Sequence, residues 1–382
     1  MRFLVLGGGA QGSAAAYDLL KQDDVEQVNI ADLNPAALHP SLGSFAPGRI
    51  NMHRVDASNF GEAAAAMEGM TGVLSGLPYY LNLDAARIAV EAGAHFTDLG
   101  GNTAIVDQQR ALDAAARAQG VSVTPDTGLA PGMVNILAQA GIDELDSTDS
   151  VRLWVGGLPQ DPKPPLNYQV VYSLEGVLDY YVTPALILKD GELSTVEALS
   201  GMEMLNFAEP LGQLEAFYTG GGISTLPHRY QGQIDTVEYK TLRYPGHART
   251  MRAIRELGLL DLEEVEFDGQ MISPRKFFIN RVAPILSNPE GNDLVVARVE
   301  VSGNKAGTPT RIRYDVLDHF DPETGLTAMM RTTGFSLAVT GLLQARGEVN
   351  RLGVGTPDEV VPPLRFIEEL GNRGITITRT DL

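Results

Sequence analysis

The sequence predicts an α/β protein, a doubly wound parallel Rossmann sheet followed by a second α+β domain. Three observations predict it. Phe3 to Leu6 form a short apolar run that ends in the spacing Gly7-x-Gly9-x-x-Gly12 and passes at once into the helix-forming stretch Ser13 to Leu20. Apolar strand segments then alternate with helical ones through the Thr124 region, which is the rhythm of a parallel sheet with crossover helices. Past Gly132 this rhythm gives way to alternating segments and a Pro-rich connection. The expected division is 1–132 for a dinucleotide-binding domain, 133–326 for an α+β substrate-binding and oligomerisation domain, and 327–382 for helices that return to the first domain.

The elements of the first half follow in order. After the strand Phe3–Leu6, Gly7 permits a tight turn, Gly9 lets backbone approach a pyrophosphate, and Gly12 lets helix pack on strand. Ala10 and Gln11 lie between them at the helix N-terminus, where free N–H groups favour phosphate. Strand Gln27–Ala31 ends at Asp32, twenty residues past Gly12, placed to accept ribose hydroxyls. A carboxylate there opposes a 2′-phosphate, so NAD is favoured over NADP, with Arg49 and Arg54 as the residues that keep NADP open. Arg54–Ser58 reads as a third strand end, with Asp56 and Ala57 bordering the adenine. Gly72–Pro78 reads as the fourth strand, its Leu77 and Pro78 lining the cofactor. Tyr79 and Tyr80 follow as pocket walls. His95–Gly101 is the fifth strand, Thr103–Gln119 one amphipathic helix, and Val121–Thr124 the sixth strand. Asp98 and Asp126 stand at the ends of the fifth and sixth strands, the edge where open α/β sheets bind ligands.

The second half is read more coarsely. Met133–Leu145 and Thr327–Gln344 read as helices, as does Pro357–Leu370, while Val151–Val155 opens a new strand pattern and Gly156–Asn167 reads as a long loop. Composition narrows the partners. A net charge of −19 with no basic run argues against nucleic acid, and no apolar window is long enough for a membrane span. The absence of cysteine excludes disulfides and thiolate catalysis and suits a reducing, cytoplasmic setting. No leader-like segment opens the chain, and no His/Asp/Glu spacing resembles a metal site. The expected partner is a small molecule, and a homodimer or homotetramer is expected from symmetry preference.

Several segments together resemble the saccharopine reductase-like dehydrogenases. They are the glycine fingerprint, Gly128-Leu-Ala-Pro-Gly132, Gly156-Gly-Leu-Pro159, Tyr172-Ser-Leu-Glu-Gly176, Ser224-Thr-Leu226 and Glu238-Tyr-Lys-Thr-Leu-Arg-Tyr-Pro-Gly246. The resemblance covers nearly the whole chain and implies two domains, a nicotinamide cofactor and an amino-acid substrate held by arginine. Where saccharopine reductases look like Ser-Arg-Gly and Asn-Arg-Asp-Ser-Thr-Leu, this chain has Glu175 and Gly222 at the arginine positions. Saccharopine carries three carboxylates and needs several cations. One retained Arg243 and an added Glu175 suit one carboxylate and one ammonium, which describes lysine and brings the pattern closest to the lysine 6-dehydrogenases.

The resemblance therefore implies NAD-dependent oxidation of lysine, or a close analogue, at its ε-carbon, giving a semialdehyde that cyclises. Asp98 and Asp126 are the candidate bases, Asp98 slightly ahead, with Arg243, Glu175, Tyr79, Tyr80, Thr241 and His228 as candidate substrate contacts. For His228 a packing role is the better expectation. Two other readings stand beside this one. They are reductive condensation of an amine with an aldehyde, as in saccharopine or carboxynorspermidine formation, and a non-catalytic NAD(H) sensor.

Overall fold

The structure is a computed structural model that describes the chain except for residues 36, 37, 171, 172 and 288–291. The first half builds β1 (Arg2–Leu6), α1 (Ala10–Leu20), β2 (Gln27–Asp32), β3 (Ile50–Arg54), α2 (Phe60–Met67), β4 (Gly72–Ser75), α3 (Asn82–Glu91), β5 (His95–Asp98), α4 (Thr103–Gln109), α5 (Asp113–Gln119) and β6 (Ser122–Thr124). These strands are parallel throughout, in the order β6-β5-β4-β1-β2-β3. β1 is buried on both faces, as its uninterrupted apolar sequence requires. The expected single helix Thr103–Gln119 is broken by a 3-10 turn at Arg110–Leu112. The break falls beside Gln109, whose buried amide is committed to Asp98.

The second half continues with α6 (Met133–Asp143), β7 (Ser147–Pro159), α7 (Leu174–Val182), β8 (Ala185–Lys189), β9 (Glu192–Val196), β10 (Glu203–Asn206), β11 (Gln213–Tyr218), α8 (Leu226–Tyr230) and β12 (Thr236–Arg243). Then come α9 (His247–Glu256), the hairpin β13 (Val265–Phe267) and β14 (Gln270–Ile272), α10 (Pro274–Leu286), β15 (Asp293–Lys305) and β16 (Thr308–His319). The chain closes with α11 (Ala328–Ala345), β17 (Gly353–Val354), α12 (Pro357–Val360), α13 (Pro363–Asn372) and β18 (Ile377–Asp381). A large mixed sheet runs β10-β11-β12-β7-β15-β16-β18, with β8 and β9 attached at β12; β7 and β12 are its parallel pair.

Several expectations are corrected here. Gly156–Pro159 belong to the strand β7 and not to a loop, because they pair with β15 from Asp293 to Val296. The helix expected over Pro357–Leu370 is two helices, since Pro362 and Pro363 interrupt it. The C-terminal segment also contributes strands, β17 at the edge of the first sheet and β18 at the edge of the second.

α11 joins the two halves. It packs on α1, on β4 and β5 of the first sheet and on β15 of the second. Fifteen of its eighteen residues are buried, so its apolar residues are spread round the helix and not confined to one face, and the buried hydroxyls of Thr332, Ser336 and Thr340 donate to carbonyls of the preceding turn. Near its end, Gln344 donates to the Phe96 and Ser122 carbonyls and to Thr124 Oγ1, tying the helix to β5 and β6. Among the described residues no helix is long and apolar enough to cross a membrane.

Candidate active site

The carboxyl edge of the first sheet carries a nucleotide cradle. Gly7 has a φ of +86°, and a Cβ at Gly12 would lie 1.8 Å from the Gly7 carbonyl oxygen, so both positions exclude a side chain. A Cβ at Gly9 would meet nothing within 4 Å, which leaves open space in front of the first turn of α1. The leading N–H groups of that helix have no intrahelical partner. The Gln11 Oε1 is buried without one. Asp32 accepts the Gly8 and Asn34 N–H groups, both at 2.7 Å, which fixes its carboxylate at the end of β2. The residues present therefore fit a dinucleotide, with its pyrophosphate at Gly9–Gln11 and a ribose at Asp32. Leu77 packs on Gly7 and Pro78 follows it beyond β4, while Asp56 and Ala57 lie in the turn after β3. Asp56 is engaged there in accepting from Ser58. Arg54 stands beside Asp32 in the β2–β3 register; Arg49 is instead bound to the Gln22 and Val25 carbonyls, far from the carboxyl edge.

A cavity of about 210 Å³ lies between this edge and the second sheet, reached by Gln11 on one side and Arg243 on the other. Tyr239, Thr241 and Arg243 enter it as alternate residues of β12, and Val155 and Gly157 do the same from β7. Thr333 of α11, Tyr180 of α7 and the Gly128–Pro131 turn complete the wall. Arg243 is the single charged side chain among the described residues that line it, and it is only 4% exposed.

Its orientation is set by a buried chain. Arg243 Nη1 donates to the Leu242 carbonyl at 2.8 Å and Nε to the Tyr181 hydroxyl at 3.2 Å, while the guanidinium lies over the Tyr168 ring. Tyr181 in turn contacts His247 Nε2 at 2.8 Å, and His247 Nδ1 contacts the Leu166 carbonyl at 3.0 Å. Because a carbonyl only accepts, the imidazole carries its proton on Nδ1, and its Nε2 accepts the hydrogen bond that the Tyr181 hydroxyl donates. Burial, aided by Arg243, pushes the His247 pKa down to about 3, so the ring is neutral and does not repel the guanidinium.

The two aspartates differ sharply. Asp98 is 1% exposed and fully engaged: Gly100 N–H and Gln109 Nε2 each donate to it at 2.7 Å, and Asp126 N–H approaches at 3.4 Å. Burial raises its pKa to about 6. Asp126, at φ +64°, has both carboxylate oxygens buried without a well-formed hydrogen bond, although the Ser224 hydroxyl and Gly101 N–H lie close enough to pull its pKa down. Burial, with Asp98 and Asp358 nearby, outweighs them and raises it to about 7. Neither aspartate lines the cavity itself; Asp126 acts on Tyr180, which does.

Other expected contacts fall elsewhere. Glu175 is exposed in the first turn of α7, where a carboxylate complements the helix dipole, and supplies no anion to the cavity. Tyr172 of the same motif lies outside the described residues. His228 is exposed on α8, and Tyr79 and Tyr80 stand exposed beyond β4, stacked edge to face on each other. Sequence reading missed Tyr180 and Tyr239. For Tyr239 a signal existed, because it shares the period-two face of Thr241 and Arg243. Tyr239 occupies the place a side chain at Gly222 would need, since a Cβ there would come within 2.3 Å of its ring. Among the described residues no cluster of three or more His, Cys, Asp or Glu is placed to hold a metal ion.

This arrangement has known counterparts. Residues 3–124 match the family model described as saccharopine dehydrogenase NADP binding domain, and residues 128–375 that of the saccharopine dehydrogenase C-terminal domain. Saccharopine dehydrogenase [NADP(+), L-glutamate-forming] of Saccharomyces cerevisiae is 27% identical over 275 residues, 67% of this chain and 58% of that one. The mitochondrial alpha-aminoadipic semialdehyde synthase of Mus musculus is 28% identical over 218 residues, 52% of this chain, and the match spans only 22% of that longer protein. A carboxyaminopropylagmatine dehydrogenase of Synechocystis is 30% identical over 138 residues, 35% of this chain and 33% of that one. In fold, apo saccharopine dehydrogenase (L-Glu forming) from Saccharomyces cerevisiae superposes with a TM-score of 0.81 at 20% identity, covering 100% of this chain and 99% of that one. With two domain models matched in sequence over nearly its whole length, the chain belongs to the saccharopine dehydrogenase family.

Proposed function

We propose that this chain is a nicotinamide-dinucleotide-dependent oxidoreductase acting on a CH–NH group, and that it oxidises the amine-bearing carbon of an amino acid with one carboxylate, L-lysine at its ε-carbon or a close analogue. The observation that carries this reading is Arg243, the single charged side chain among the described residues lining the cavity. One guanidinium pairs bidentately with one carboxylate, whereas two further carboxylates in an otherwise uncharged cavity would be buried without a counter-ion. Saccharopine is therefore disfavoured. A carboxylated polyamine also carries one carboxylate, and the carboxyaminopropylagmatine dehydrogenase relative keeps that substrate class as the second reading.

When bound, the dinucleotide supplies the hydride acceptor. The chain's own part is to hold the carboxylate at Arg243, to keep the reacting carbon in a largely apolar cavity, and to take a proton from nitrogen. An ammonium of pKa about 10.4 resists deprotonation at pH 7 by roughly 4 to 5 kcal/mol, and desolvation in such a cavity lowers that barrier. Asp32 supports NAD as the preferred cofactor; Arg54 beside it and the name of the matched NADP binding domain support NADP. A homo-oligomer belongs to the same reading, supported by eight exposed large apolar side chains between Leu257 and Ile285.

The test is absorbance of the reduced nicotinamide with lysine, saccharopine and diamines in turn, each with NAD and NADP. Lysine with NAD is expected to react fastest. If no amine reduces either cofactor at alkaline pH, the enzyme reading falls and a nucleotide sensor takes its place.

A further inference from the structure

Behind the substrate cavity lies a second, smaller chamber of about 130 Å³. Tyr239 lines both spaces and forms the partition between them. The chamber wall is rich in hydroxyls: Thr103, Thr183, Thr219 and Ser224. Two features connect it to its surroundings. On the cavity side, Thr219 Oγ1 lies 2.7 Å from Thr241 Oγ1, and Thr241, whose Oγ1 is 3.5 Å from the Tyr239 hydroxyl, lines the cavity. Ser224, also on the chamber wall, is 9% exposed, and Asp126 beside it is 2% exposed; the Ser224 hydroxyl and the Gly101 N–H lie near the carboxylate, but neither Ser224 Oγ nor either Asp126 oxygen has a well-formed hydrogen bond.

Buried hydroxyls and carboxylates without protein partners are satisfied by ordered water where there is room for it, and a chamber this size holds several molecules. The seat of Asp126 is also built closely. A Cβ at Gly100 would fall 1.8 Å from its Oδ1, so the carboxylate rests on bare backbone. The charged and titratable groups around it are Asp98 from β5, the Tyr180 hydroxyl from α7 and Asp358 of α12, itself paired with Arg229.

We propose that this chamber holds ordered water and serves as the proton exit of the active site: the proton passes from Thr241 through Thr219 to the water, is held at Asp126 beside Ser224, and is released to solvent past the exposed Thr183 and Pro184 of the chamber wall. The inference rests on the amine-oxidation reading and deepens it. Removing a hydride and one proton from R–CH2–NH3+ leaves R–CH=NH2+, and one water then converts this to the aldehyde and NH4+. The hydride goes to the nicotinamide, whereas the proton leaves through the cavity wall, whose polar side chains are Gln11, Tyr180, Tyr239, Thr241, Arg243 and Thr333. The hydroxyl pair Thr241–Thr219 is the polar crossing that leads through that wall to the chamber. Thr219 and Ser224 are positioning residues in this scheme, because neither touches the cavity itself.

The experiment has two arms. A crystal structure of the full chain should show water bonded to Ser224 Oγ and Asp126, and infrared spectra across pH should show a protonated carboxyl band that Asp126→Asn removes. A dry chamber, or one filled by a limb of the substrate, overturns the proposal. In kinetics, Thr219→Val should lower kcat about tenfold or more and shift its pH profile, with KM for lysine within about twofold and Thr219→Ser restoring the rate, since positioned proton transfer is worth roughly 10²- to 10⁴-fold. Unchanged kcat and pH profile in Thr219→Val also overturn it. If no amine is oxidised by the unmodified chain, the functional reading fails by itself, and the crystallographic and infrared arms still decide on the chamber.

Discussion

Asp98 and Asp126 end neighbouring strands of one sheet, are equally buried, and have opposite surroundings. Every oxygen of Asp98 receives a donor, while those of Asp126 receive none of good geometry. A buried carboxylate with its partners in place holds structure together. One without them stores free energy that persists only where the surrounding fold enforces it or a function draws on it. Residue type and position along the strand made the two look equivalent, even slightly favouring Asp98; only the inventory of partners separates them.

The largest expected effect is on the satisfied member. Asp98→Ala leaves the Gly100 N–H and the Gln109 amide buried without acceptors, and should destabilise the fold by about 3 kcal/mol, read by chemical denaturation. Asp126→Asn should do the reverse in stability while lowering kcat, because it removes a buried ionisable group without removing a well-formed hydrogen bond. A loss of stability as large as that of Asp98→Ala would erase the distinction between them.

The pH dependence sharpens it further. Both carboxyls have folded pKa values raised from 3.8, to about 6 for Asp98 and about 7 for Asp126. A raised value means that the folded state holds its proton longer than the unfolded chain does. The stability tied to these groups is therefore fully present below about pH 4 and is lost as pH rises through 6 and 7, by an order of a few kcal/mol in total. Asp126→Asn should flatten the upper part of that fall, so its advantage over the unmodified chain is greatest near pH 8 and vanishes near pH 4. Gln109→Leu should cost about 1 kcal/mol and raise the Asp98 pKa further, since it deletes one donor. Smallest is Glu175→Gln: an exposed first-turn carboxylate is worth no more than about 1 kcal/mol, and KM for lysine should not move.

The contrast between these residues also marks what was legible in the sequence. The glycine cradle was legible because its determinants are local: strand, turn and helix lie within the first twenty residues, and Asp32 follows at a set distance. Arg243 and Thr241 were found through a resemblance and Tyr239 was missed, although all three share one strand face. Tyr180 and Gly222 reach the cavity from separate elements, α7 and the loop after β11, and no short-range pattern joins them to β12. The misplaced Glu175 has a simple physical origin. In sequence it replaces a cation, but the fold puts it at a helix start facing solvent. In the fold the errors gathered where packing overrides pattern: β7 runs on through Gly156–Pro159 against β15, Gln109 is drawn inward beside a 3-10 turn, and β18 pairs with a partner over sixty residues away.

α11 sets a mechanical limit on how this site works. The same rod that contributes Met329 and Thr333 to the cavity is pinned near its other end by three hydrogen bonds from Gln344 to β5 and β6, and it lies along both sheets. Swinging the sheets apart to admit a ligand would pull a buried helix out of two interiors at once. Loading and release should therefore depend on the connecting segments around the cavity mouth, with the two sheets keeping their mutual position from one turnover to the next.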